Sequence, residues 1–144
     1  LGVDAEFKGL RQMIESGKLR RFAIANPGHA PYGRAAREAL IKAGLWDRLQ
    51  PQLVLGENVS QTAQFASAGG ADGGIFAYSL ARSPAVSSLG TYALIPDAAH
   101  TPLRQAMVLM KNASHDAEAF FAYLQQPSAR AILKRHGFVL PGEP

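Results

Sequence analysis

The stretch Arg21–Ala43, RFAIANPGHAPYGRAAREALIKA, decides the fold class. Arg21-Phe22-Ala23-Ile24-Ala25 is short and apolar, as a buried strand requires, and Asn26-Pro27-Gly28 follows it with a strong turn signal. After Pro31-Tyr32, the run Gly33–Ala43 is rich in residues that lose little freedom in a helix, and it stops at Gly44. The reading is strand, loop, helix.

The same order recurs downstream, with Leu53–Leu55 as strand, Gly56-Glu57-Asn58-Val59 as connection and Ser60–Ala68 as helix, ended by Gly69-Gly70. Gly74–Ala77 then reads as a buried strand, Tyr78–Arg82 as a short helix and Thr91–Ile95 as a further strand. This alternation predicts an α/β sheet with crossover helices. Upstream, Phe7, Leu10, Met13 and Ile14 recur at three- and four-residue spacing, which predicts an amphipathic helix over Asp4–Ser16 closed by Gly17. Beyond Pro96 the character changes. Leu103–Met110 reads as a long strand, Asp116–Leu124 as a helix with Ala117, Phe120, Phe121 and Leu124 on one face, and Ser128–His136 as a helix turning Ala131 and Ile132 inward. The polar connection Pro96–Pro102 is the expected boundary or hinge.

Composition narrows the function. The 144 residues are 47% hydrophobic and only 18% charged, which fits a folded domain and not a disordered chain. A formal charge of +4 mildly favours anionic partners. Basic pairs at Arg20-Arg21 and Lys134-Arg135 stand without interleaved aromatics or helix-turn-helix spacing, so no nucleic acid partner is expected. The absence of cysteine excludes disulfides, thiolate metal sites and cysteine nucleophiles. No run approaches the ~20 apolar residues of a membrane span, and LGVDAEFKGL does not read as a signal peptide.

Two helix starts each follow a strand, where unpaired backbone N–H groups make an anion site. At Ala30-Pro31-Tyr32-Gly33-Arg34, proline presets the backbone, Gly33 permits close approach to the main chain and Tyr32 adds a hydroxyl. At Glu57-Asn58-Val59-Ser60-Gln61, Asn58 or Ser60 caps the helix while the Val59 N–H points outward. Both also read as ordinary caps. The glycine run Ala68–Gly74 precedes a strand instead of following one, which suits a helix stop and turn better than a phosphate loop. His29, His100, His115 and His136 are far apart with no carboxylate at ligand spacing, so they read as surface or capping residues and no metal site is expected. Asp72, Asp97 and Asp116 read as turn or N-cap residues, and no nucleophile elbow or triad is present. An enzyme is not expected.

Three phrases, FAIANPGHAPYGRAAREAL, LVLGENVSQTAQFASAGGADGGIFAYSLA and FFAYLQQPSARAILKRHGFVLPG, resemble in wording, order and spacing the periplasmic molybdate- and tungstate-binding proteins of ABC importers. The resemblance runs from about Leu19 onward. It implies one α/β lobe of a type II periplasmic-binding-protein fold plus a C-terminal helical return segment. The implied division is a leading helix and connection over 1–18, the second lobe of the fold over 19–95, and a return segment over 96–144 that packs on a first lobe.

In that family neutral donors from helix starts on both lobes hold the oxyanion, so the first lobe's serine, threonine or asparagine donors have no counterpart in this sequence. Carried over by position, the ligand contacts are Tyr32, flanked by Pro31 and Gly33, and the Val59 N–H, flanked by Asn58 and Ser60. A family tyrosine aligns with Ala77, with Tyr78 one place later, and Arg34 is expected to face solvent. The resemblance further implies a periplasmic location, a membrane permease as partner, molybdate or tungstate as ligand, and no cofactor. Without a first lobe, the chain alone is expected to bind weakly and to self-associate through Phe120, Phe121, Leu124 and Ile132. The same two-lobed fold also serves as the effector-sensing domain of LysR-type transcription regulators, the alternative reading.

Overall fold

The computed structural model describes residues 2–142, and the chain divides into two units, Leu1–Leu103 and Arg104–Pro144. In the first unit, helix α1 (Lys8–Glu15) precedes strand β1 (Phe22–Ala25). Helix α1 starts four residues later than the apolar spacing suggests, because the Asp4 carboxylate accepts the N–H groups of Glu6, Lys8 and Gly9 at 3.0, 2.9 and 2.8 Å. Those bonds turn residues 4–7 into a capping turn that ends with Phe7 in the left-handed region, φ 59°.

After β1 come α2 (Pro31–Lys42), α3 (Trp46–Leu49), β2 (Leu53–Gly56), α4 (Val59–Ser67), β3 (Gly73–Ile75), α5 (Tyr78–Ala81) and α6 (Pro84–Ser87). The three strands form one parallel sheet in the order β2-β1-β3, with Phe22 opposite Leu53 and Gly73, and Ile24 opposite Leu55 and Ile75. The connection from β1 to β2 runs one way across the sheet and that from β2 to β3 runs back. Right-handed crossovers therefore put α2 and α4 on opposite faces. Strand β1 lies between them, and all four of its residues are buried.

Period-2 alternation divides β1 between the two faces. Phe22 and Ile24 join Leu10, Leu19, Ala36, Leu40, Leu45 and Leu49 in the core, with Trp46, Leu53 and Ile75 packed against it. Ala23 and Ala25 lie on the other side, where Thr62 and Ala63 of α4 are buried. At the amino end of the sheet the Asp72 carboxylate accepts the N–H groups of Arg20 and Arg21 at 2.7 and 3.0 Å. These two bonds hold its pKa below the ordinary carboxylate value.

Two expected strands are absent. Thr91–Ile95 and Leu103–Met110 pair with no strand of the sheet. In place of the first, a 3-10 turn at Asp97–Ala99 and the following Thr101 dock on α2: Thr101 N–H donates to Glu38 at 2.6 Å, and Lys42 donates to the Ala98 carbonyl at 2.6 Å. The Glu38 carboxyl is held below its usual range chiefly by that Thr101 N–H.

The second unit contains α7 (His115–Tyr123), capped by the Ser114 hydroxyl and not by Asp116, and α8 (Pro127–Arg135). Proline occupies the first position of α8, where its fixed φ is already helical. Its covered face holds Ala129 and Leu133, four apart; Ala131, two residues from each, lies on the opposite side of the helix, and Ala131 and Ile132 are exposed instead of turned inward.

Candidate functional site

All three strands point the same way, so β1, β2 and β3 end at one edge of the sheet, and α2, α4 and α5 start there. In open α/β sheets this carboxyl edge is where ligands bind. Pro31 and Val59, the first residues of α2 and α4, follow the ends of neighbouring strands, Ala25 and Gly56, which are register partners.

The start of α2 has proline at its first position and no side-chain cap. Its helix begins at Pro31, two residues earlier than the sequence reading, because the fixed φ of proline is already helical. Tyr32 is half-buried and Pro31 exposed. Gly33 is buried, and a Cβ on it would lie 2.1 Å from the Ala25 carbonyl oxygen and 2.7 Å from the carbonyl carbons of Ala25 and Asn26. Its missing side chain therefore serves the close approach of α2 to the end of β1. The Gly33 N–H forms no hydrogen bond among the described residues. Arg34 is exposed, and its guanidinium donates to the His29 carbonyl at 3.2 Å.

The start of α4 is capped by Asn58, whose side-chain oxygen accepts the Gln61 N–H at 2.9 Å. Gln61 reaches back to accept the Glu57 N–H at 2.7 Å, a variant of the capping box displaced by one residue. The Thr62 hydroxyl and N–H both return to the Asn58 carbonyl, at 2.9 and 3.1 Å. Gly56 permits this tight turn, since a Cβ there would lie 2.6 Å from the Thr62 hydroxyl. With those bonds made, the Val59 and Ser60 N–H groups have no acceptor among the described residues. Val59 is half-buried, and Asn58 and Ser60 are exposed.

The two starts adjoin. The Asn26 N–H donates to the Gly56 carbonyl at 2.8 Å, continuing the ladder one residue past β1. Nε2 of His29 lies 2.9 Å from the Glu57 carbonyl oxygen and 3.5 Å from the Glu57 carboxylate. No sequence spacing links these residues, 28 positions apart.

At the end of β3, Ala77 is the buried residue before α5 and has no polar side chain to offer. The Tyr78 hydroxyl accepts from Arg82 at 2.7 Å, and its ring stands 5.5 Å from that of Tyr92. The Arg82 bond holds the Tyr78 phenol below its ordinary value, and the bond to Tyr78 raises Tyr92. Tyr78 is thus already engaged within this cluster.

Residues 2–139 match the family described as bacterial extracellular solute-binding protein. The chain belongs to that family. Over 123 residues it is 37% identical to the molybdate-binding protein ModA of Rhodobacter capsulatus, an alignment taking in 84% of this chain and 48% of that one. Against ModA of Escherichia coli strain K12 the identity is 33% over 123 residues, 83% of this chain and 46% of the other. The periplasmic molybdate-binding protein of Azotobacter vinelandii superposes with a TM-score of 0.82 at 32% identity, over 96% of this chain and 60% of that one. The parallel sheet with crossover helices is therefore part of a solute-binding-protein fold, and the chain spans about half the length of the curated relatives it matches. These relatives are solute-binding proteins and lend no support to the alternative as a transcription-regulator domain.

Proposed function

We propose that this chain forms one wall of the oxyanion cleft of a molybdate or tungstate receptor, working in the periplasm with the membrane permease of an ABC importer and catalysing no reaction. The observation that carries the reading is the pair of adjoining helix starts, where Gly33, Val59 and Ser60 N–H groups stand without protein acceptors among the described residues. A tetrahedral dianion bound without a cation needs its charge spread over several oriented donors. Tyr32 and the Val59 N–H are the principal contacts in this reading. Pro31 and Gly33 shape the first helix start, and Ser60 adds a second N–H beside Val59. Asn58 acts mainly as the cap, its oxygen already engaged by Gln61. Ala77 and Tyr78 are left out of the contact set.

Donors from one wall alone bind weakly, since each charge-assisted bond contributes about 1.5–3 kcal/mol. A polypeptide of these 144 residues, which span about half the length of the curated relatives, is therefore expected to bind molybdate less tightly than a full-length relative. Exposed Phe120, Tyr123 and Ile132 in the second unit supply the apolar surface for self-association, which light scattering over a concentration series reads directly.

The decisive experiment is calorimetric titration with molybdate, tungstate and sulfate, comparing the native chain with Val59→Pro. Proline is favoured at the first helical position, and Asn58 before it already has the extended backbone that a following proline demands, φ −148° and ψ 174°. The substitution therefore deletes one N–H while keeping the helix. Molybdate affinity is expected to fall at least about tenfold, the equivalent of 1.4 kcal/mol. Unchanged affinity would remove Val59 from the donor set, and no uptake of molybdate or tungstate even at millimolar concentration, where a weak one-walled site fills, would end the reading.

A further inference from the structure

We infer that His29 is a positioning residue for the oxyanion site, a clamp that fixes the start of α4 relative to the start of α2; the inference rests on the reading above. Its own loop holds it firmly. The His29 and Ala30 N–H groups both donate to the Asn26 carbonyl, at 3.3 and 2.9 Å, the Asn26 side chain accepts the Gly28 N–H at 2.9 Å, and Arg34 donates to the His29 carbonyl at 3.2 Å. From that base the ring reaches across to the Glu57 carbonyl at 2.9 Å. A carbonyl only accepts, so Nε2 must carry the proton, and the neutral ring with hydrogen on Nε2 meets that requirement without any charge.

The acceptor identifies what the bond controls. The Glu57 carbonyl and the Asn58 N–H belong to one rigid peptide plane and point in opposite directions across it. Holding that carbonyl fixes the plane from which Asn58 caps the helix, and Val59 and Ser60, whose N–H groups await an acceptor, follow directly. The Gln61 side chain fixes the preceding peptide through the Glu57 N–H. Between the two helix starts themselves, the ladder bond from Asn26 to Gly56 sets the distance and His29 sets the orientation. The His29 side chain is 53% exposed, so it contributes little to burial and its removal leaves the core untouched.

The test compares the full chain with His29→Ala and His29→Gln, first without ligand by hydrogen exchange over residues 56–61, then by molybdate titration. His29→Ala is expected to speed amide exchange in that segment severalfold and to weaken molybdate binding about tenfold, with the melting temperature of the ligand-free protein nearly unchanged. Glutamine can donate from its own Nε2 to the same carbonyl, so His29→Gln should recover most of both effects. Native exchange and native affinity in His29→Ala, or a glutamine variant no better than alanine, would overturn the inference. Should the unaltered chain take up no molybdate even at millimolar concentration, the oxyanion reading fails, while the ligand-free exchange still decides whether His29 clamps the loop.

Discussion

Phe22–Ala25 and Leu103–Met110 are both apolar runs with strand character, and they end in opposite environments. The first is hydrogen-bonded on both edges and covered on both faces, and each of its residues is buried. The second joins no sheet, and Val108 and Met110 are 77% and 73% exposed. Extended propensity is a local property, whereas a ladder needs a partner on the other side of every bond. Thr91–Ile95 teaches the same lesson. Its aromatic residue, Tyr92, packs against Tyr78 and not into a sheet.

The comparison can be put to measurement, beginning with the largest effect. Ile24→Ala opens a hole at a fully buried position of β1, and urea unfolding should register a loss of about 2–5 kcal/mol. A loss under 1 kcal/mol would mean that β1 is not the centre of the core. Gly33→Ala pushes a Cβ into the backbone carbonyl of Ala25, which no rotamer change can relieve. Overpacking of this kind costs about 1–3 kcal/mol, and a crystal structure of the variant should find the start of α2 displaced from β1.

Asp72→Ala removes the carboxylate that anchors the first end of β1, and is expected to cost about 1–2 kcal/mol at neutral pH after allowance for partial exposure. Its sign with pH follows from the depressed folded pKa. The unfolded carboxyl binds a proton more readily, so the contribution is complete above the ordinary value near 3.9 and is lost as pH falls through the folded value. The gap between native and Asp72→Ala stabilities should therefore close in acid, and a gap that persists well below that range would assign the effect to packing instead. The smallest change belongs to the other region. Val108→Ala should leave stability within about 0.5 kcal/mol, as for exposed positions in general, and a larger loss would indicate that Leu103–Met110 is covered in solution.

Local chemistry along the chain was enough to fix the strand-loop-helix units and the α/β class and to narrow the α4 cap to Asn58 or Ser60, because each depends on residues within a few positions of one another; the structure chose Asn58 and drew Pro31 into the first turn of α2. The wording of Phe22–Leu40 and Leu53–Ala81 also pointed to the solute-binding family. What remained undetermined involves residues distant in sequence. Whether Leu103–Met110 joins a ladder depends on partners that its own residues do not specify, and which face of α8 is covered depends on what packs against it. That Gly33 exists for the end of β1, and that His29 crosses to the Glu57 carbonyl, follow from parallel pairing that brings two loops together. A sequence states what each segment prefers; only the assembled sheet states which segment stands beside it, because hydrogen bonds and burial are properties of pairs.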